Sequence, residues 1–211
     1  STCGDFAALF LLTEFGAKEA LPAIIEFLSL PGEGPFELYG DVITEDMSSV
    51  LAALADVDVV DRLIADRSLN EYVRWDAAQT YLLFVRDGRL TRVTAVERLR
   101  SHLATALAGD DHEAVHGLVS ELSIYAPHEA MAEIRDAFER YLHGQIGYSL
   151  PYIEQSLRNP DQHFQRYLTT CDPTGCDDAL AALHDWFDVT PSDNDATENL
   201  EDVDENWILR G

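Results

Sequence analysis

Positive charge is what this chain has least of. Its 211 residues carry 14 Lys and Arg against 39 Asp and Glu, a formal net charge of −25 at pH 7, and Lys18 is the one lysine. Phosphate contacts need basic side chains, so nucleic acid is not an expected partner. The same field repels an anionic membrane surface. Cysteine is scarce too: Cys3, Cys171 and Cys176 are an odd number and too few for a disulfide scaffold. No apolar run approaches the roughly 20 residues that span a bilayer. No secretory signal stands out, and a cytoplasmic protein with reduced thiols is expected. The first residue is Ser1 rather than Met, which fits a processed start or a segment upstream. A phosphate-cradling glycine loop and a nucleophile elbow are both missing.

What is present is apolar material in ordinary amount. At 46% hydrophobic residues the chain can build a core, which excludes chain-wide disorder. Its period is helical throughout, with no convincing alternating strand. Phe6, Leu9, Phe10 and Thr13 share one face. A second helix over 20–30 ends at Pro31-Gly-Glu-Gly-Pro35. Thr44 is placed as the N-cap of a helix carrying Val50, Leu51 and Leu54. A short helix follows over 57–65, and Ser68 to Glu71 has capping-box spacing.

The helix over 70–86 is apolar nearly all round, which predicts burial between neighbours. Its aromatics Tyr72, Trp75, Tyr81 and Phe84 are expected in the core rather than lining a groove. The helix over 92–107 bears one narrow stripe, Val96, Leu99, Leu103 and Leu107, and is read as an outer helix. Further helices are placed after Gly109-Asp-Asp111, after Pro127, after the Ser149 cap, and over 177–187 with Leu180, Leu183, Trp186 and Phe187 inward.

Short helices joined by short turns, roughly 35–45 residues per pair, are the pattern of stacked helical repeats. The expected architecture is all-α: a HEAT-like or armadillo-like solenoid of helical hairpins over 1–188. An acidic tail over 189–211 follows, which can dock through Trp207 and Ile208. An all-helical globule is the competing arrangement.

Several stretches also carry a resemblance. Phe6-Ala-Ala-Leu-Phe-Leu-Leu-Thr-Glu-Phe-Gly-Ala17 is similar to the opening helix of a bacterial family known as domain of unknown function 1186. Ala20-Leu-Pro-Ala-Ile-Ile-Glu-Phe-Leu-Ser-Leu-Pro-Gly-Glu33, Gly40-Asp-Val-Ile-Thr-Glu-Asp46 and Asn70-Glu-Tyr-Val-Arg74 extend the match, and weaker likeness continues to residue 187. The resemblance implies a HEAT-like helical architecture and no activity. It also gives Arg74 a structural part, since such an arginine ties neighbouring HEAT repeats together. Some family members end in a cysteine-rich zinc motif, which a chain without cysteine after Cys176 does not share.

Three segments hold residues capable of chemistry. His112-Glu-Ala-Val-His116 reads H-E-x-x-H, which on a helix lets two imidazoles share zinc while Glu113 acts as base on bound water. Its place directly after Gly109-Asp-Asp111, at a positive helix end, favours a solvated helix start instead. Glu129 or Glu133 would have to supply a third ligand. Cys171 and Cys176, in a C-x4-C turn near His163 and His184, are read as two ordinary thiols, with a disulfide on oxidation or a metal site as the alternatives. Asp41, Glu45 and Asp46 cluster beside Tyr39 and are read first as a capped helix start; for a binding surface in this region, Tyr39, Asp41, Glu45 and Asp46 are the first choice. The expected function is a non-enzymatic scaffold for a protein partner, most suitably a basic one. No cofactor is expected. The alternative is a zinc-dependent hydrolase with His112 and His116 as ligands and Glu113 as base.

Overall fold

A computed structural model of the chain describes residues 3–145, 147, 149–170, 178–180 and 182–183. Among these there are helices and turns and no strand. The helices are α1 (Cys3–Glu14), α2 (Leu21–Leu28), α3 (Gly34–Tyr39), α4 (Val42–Glu45), α5 (Met47–Leu54) and α6 (Val57–Ala65). They continue as α7 (Glu71–Arg86), α8 (Arg92–Ala108), α9 (His112–Ile124), α10 (Met131–Ala137), α11 (Leu150–Ser156) and α12 (Pro160–Thr170). Phe138–Leu142 prolongs α10 as a π-helical turn.

Capping chemistry sets most of the boundaries. Asp56, Asn70, Thr91, Asp111 and Ser149 each accept a hydrogen bond from a backbone N–H two or three residues on, opening α6, α7, α8, α9 and α11. Each such cap is worth about 1 kcal/mol. Two expected caps are replaced. Thr44 lies inside α4 and its hydroxyl bonds the Asp41 carbonyl, so α5 starts later, behind Asp46. Ser68 gives its hydroxyl to Asp66 instead of forming a capping box, and Asn70 takes over as cap. The loop around Pro35 both stops α2 and starts α3, because proline lacks only an N–H that a first turn leaves unpaired anyway.

Helices α5, α7 and α9 lie in one row, with α1 against α5 and α12 against α9. On the other side α6 packs on α7, α8 on α9 and α10 on α8. The core runs through this double row. Val50 and Leu51, Val73 and Tyr81, Phe84, Val115 and Leu122 are inaccessible to solvent, as are Val96, Leu99 and Leu103 of the outer α8. The one-sided stripe expected for α8 is therefore the buried one. Ala179 and Ala182 are buried at the far end of the chain, and the Ala179 N–H reaches the Glu14 carboxylate of α1. That turn leaves Leu180 exposed rather than inward. Trp186, Phe187 and the 189–211 tail lie outside the described residues.

Polar ties between the helices recur at nearly constant sequence separation. Arg89 donates to the carbonyls of Ala52 and Ala55, 37 and 34 residues back. Arg92 donates to Tyr125 and Ala126, and Arg140 to the Leu107 carbonyl, over 33 or 34 residues. Arg74 holds both carboxylate oxygens of Asp111, 37 residues on, at 3.2 and 2.7 Å. Arg98 and His102 reach Asp61 across 37 and 41 residues. Several of these guanidinium groups satisfy carbonyls that helix ends leave unpaired. The Arg74 to Asp111 pair is almost wholly buried, and the Arg74 Nε also bonds the Ile64 carbonyl. One arginine thus joins the end of α6, the body of α7 and the start of α9.

Candidate functional site

Helices α7 and α9 cross closely because residue 117 is glycine. A methyl group there would overlap the Trp75 indole. The indole is fixed from its other end, where Nε1 donates to the Glu113 carbonyl at 2.7 Å. Beside this crossing lies a cleft of about 220 Å³. It is lined by Thr44, Tyr72, Trp75, Asp76, Gln79, Gly117, Ser120 and Glu121. Tyr72 meets Trp75 edge to face with ring centres 5.0 Å apart, and Phe36 backs Tyr72 at 5.5 Å.

Two carboxylates form the floor. Asp76 is 3% exposed and Glu121 9% exposed. Among the described residues, Asp76 Oδ2 and Glu121 Oε2 have no hydrogen-bond partner, and neither side chain enters an ion pair. A buried polar atom without a partner costs about 1–3 kcal/mol and calls for an explanation. Burial pushes the Asp76 carboxyl well above its ordinary range, and the neighbouring Glu121 and Asp46 add to this against a Ser48 backbone N–H that lowers it. Burial pushes Glu121 up to about 8. Burial disfavours ionisation of both acids, and repulsion from Glu121 adds to this at Asp76; a nearby cation would act in the opposite direction.

The segments singled out from sequence sit elsewhere or only border this cleft. Tyr39 is stacked on Phe27 at 4.6 Å and meets Phe6 edge-on, so its ring is a packing surface between α3, α2 and α1. Asp41 and Glu45 are exposed on either side of α4, and Asp46 is half-buried near Asp76. The aromatics of α7 divide: Tyr81 and Phe84 are core, while Tyr72 and Trp75 wall the cleft. Asp76 and Glu121 themselves were missed. Their signal was a charged residue on a face that periodicity assigns to the interior, Asp76 next to Ala77, and Glu121 three residues after Leu118.

His112 and Glu113 occupy the exposed first turn of α9, behind the Asp111 cap. The His112 ring lies over Tyr141 at 6.4 Å. His116 is half-buried, and burial together with His112 lowers its pKa. Glu129 is exposed, and Glu133 pairs with Arg100 at 2.7 Å. Among the described residues, no three His, Cys, Asp or Glu side chains gather as a metal site would need, so the zinc-hydrolase alternative is not favoured. Cys171, Cys176 and His184 lie outside the described residues, and His163 bonds the Ser123 carbonyl and packs against Tyr167. No helix among the described residues is long and apolar enough to cross a membrane.

Comparison with known proteins assigns no activity. A family model described as "Protein of unknown function (DUF1186)" matches residues 3–187. An uncharacterised protein of Chlamydia muridarum is 28% identical over 191 residues, covering 89% of this chain and 76% of that protein. An uncharacterised protein of Chlamydia trachomatis is 28% identical over the same length, with 89% and 75% covered. No solved structure matches the chain.

Proposed function

Starting from a chain that belongs to DUF1186, a family of unknown function, we propose a HEAT-like scaffold that presents its α5–α7–α9 row to a basic protein partner. One observation carries the reading: many of the side-chain ties between helices span 33 to 42 residues, beside others at 10 to 31. That spacing is what stacked helical hairpins produce, because each unit buries its face only against the next. At the far end the Ala179 N–H meets the Glu14 carboxylate of α1, so the two ends of the proposed array lie close together. Such arrays typically work through an extended surface. With a net charge of −25, electrostatic steering favours a positively charged partner and speeds its encounter at low salt.

The test uses the full chain with a photocrosslinking residue at Tyr72, on α7, and separately at Val93, on α8. Both positions are exposed. The expected result in extract of the source cells is one discrete adduct from Tyr72, with a protein of net positive charge. Its yield falls as salt rises. Equal adducts from both positions, or adducts indifferent to salt, would overturn the scaffold reading.

A further inference from the structure

We propose that the cleft between α7 and α9 binds the ammonium group of an organic amine, seated on the Asp76 and Glu121 carboxylates and against the faces of Trp75 and Tyr72. This goes beyond the scaffold reading and does not depend on the partner being a protein.

The floor of the cleft lacks a basic side chain paired with its acids among the described residues. The other buried carboxylate among the described residues has its counter-group, Asp111 with Arg74, as does the half-buried Asp61 with Arg98 and His102. Asp76 and Glu121 stand more than nine-tenths buried, each with an oxygen unpartnered, and both face a cavity. Buried acids are normally paired. An ammonium group supplied from outside carries donors for both unpartnered oxygens, and its single charge is matched when one of the two acids gives up its proton.

The walls select the kind of cation. A hydrated divalent ion needs six or more oxygen ligands. Here the upper wall is aromatic, and no third carboxylate or imidazole joins the pair among the described residues. An alkylammonium gains from an aromatic face, and as a monovalent ion it costs far less to dehydrate than a divalent one. A guanidinium would instead want both oxygens of one carboxylate for its fork. The two unpartnered oxygens come from different helices, which suits a compact charge with separate donors.

The size agrees. About 220 Å³ corresponds to roughly seven liquid-water volumes, space for an ammonium head and a short alkyl stem. Gly117 keeps the passage open, since any side chain there would collide with Trp75. Two sources carry this chemistry, a lysine side chain of a partner protein and a small amine in solution.

Calorimetric titration of the full chain decides the matter, with n-butylammonium, spermidine and a lysine-containing peptide as probes and butylguanidinium and Ca²⁺ as controls. Asp76→Asn and Glu121→Gln preserve side-chain shape, and circular dichroism verifies their fold. The expected result is saturable binding of at least one ammonium probe at one site, weakened about tenfold or more by either variant. A Trp75→Leu variant is expected to weaken binding as well, by loss of the aromatic face. A peptide that binds more tightly than the small amines identifies the source as a partner's lysine; the reverse order identifies a soluble amine. Undiminished binding in both carboxylate variants, tighter binding of Ca²⁺ or butylguanidinium, or no binding of any ammonium probe would overturn the proposal. The crosslinking experiment can fail while this one succeeds, so the two readings fall separately.

Discussion

Replacing Glu121 by glutamine should stabilise the protein, and by an amount that depends on pH. Burial pushes this carboxyl from an ordinary 4.5 up to about 8. In the unfolded chain it loses its proton near the ordinary value; in the folded chain it keeps the proton until much higher pH. Across that interval the folded state binds more protons than the unfolded one, so stability falls as pH rises. The loss approaches ~1.4 kcal/mol per pH unit. Between about pH 5 and pH 7.5 it amounts to roughly 3 kcal/mol, a large share of a stability that is only ~5–15 kcal/mol. Glutamine has the same shape and cannot ionise, so the variant escapes this slope. Urea unfolding at several pH values would give both curves. The two should lie within about 1 kcal/mol of each other near pH 5 and diverge by roughly 3 kcal/mol by pH 7.5. Groups such as Asp61 and Asp111, whose pKa values are lowered, tilt both curves alike and cancel in the difference. A gap that stays constant with pH would refute the reasoning, because it would mean that Glu121 is ionised in the folded state.

Other outcomes follow from the same structure. Arg74→Ala leaves Asp111 charged and buried and the Ile64 carbonyl without its donor. A loss of about 3–5 kcal/mol is expected, measurable as a lower melting temperature, and Arg74→Lys should recover only part because it cannot hold both oxygens. Gly117→Ala normally adds helix propensity, yet here the methyl meets Trp75. The expected net effect is destabilisation by about 1–3 kcal/mol in urea unfolding, and an increase in stability would contradict the close crossing. Ala126 sits at φ 45° at the end of α9, a region that L-residues avoid. Ala126→Gly should therefore raise stability by up to ~1 kcal/mol, and an unchanged or lower unfolding midpoint would count against that backbone. A strong chelator should leave the melting temperature of untagged protein unchanged, whereas a stoichiometric zinc on His112 and His116 would make it fall.

Much of this fold is legible in the residues because helical period and capping are local. The stretch 57–65 reads as one helix since Asp56 precedes it and Val59, Val60, Leu63 and Ile64 repeat on one face. The stripe of α8 and the break at Gly109-Asp110-Asp111 are equally local. Legibility fails where a competing neighbour wins. Ser68 finds Asp66 two residues back before it can serve a helix start. Leu180 turns outward because Ala179 and Ala182 take the buried positions near α1. The cleft was the hardest to foresee. Hydrophobic pattern places the α7 and α9 faces inside, and it says nothing of what happens when two acids from different helices arrive there together. Only the crossing at Gly117 brings Asp76, Glu121 and Trp75 around one cavity. The acidic patch at Asp41 and Glu45 was visible because it is exposed, which is also why little holds it in a fixed geometry.

The most direct test of the account is the titration of the Glu121 side-chain carboxyl by carbon-13 NMR, with and without an alkylammonium probe. The account predicts a midpoint near 8 in the protein alone. It also predicts a clear fall when the probe is present, because a bound cation favours the ionised form. A midpoint below about 6 in the protein alone, or one that the probe leaves unmoved, would contradict it.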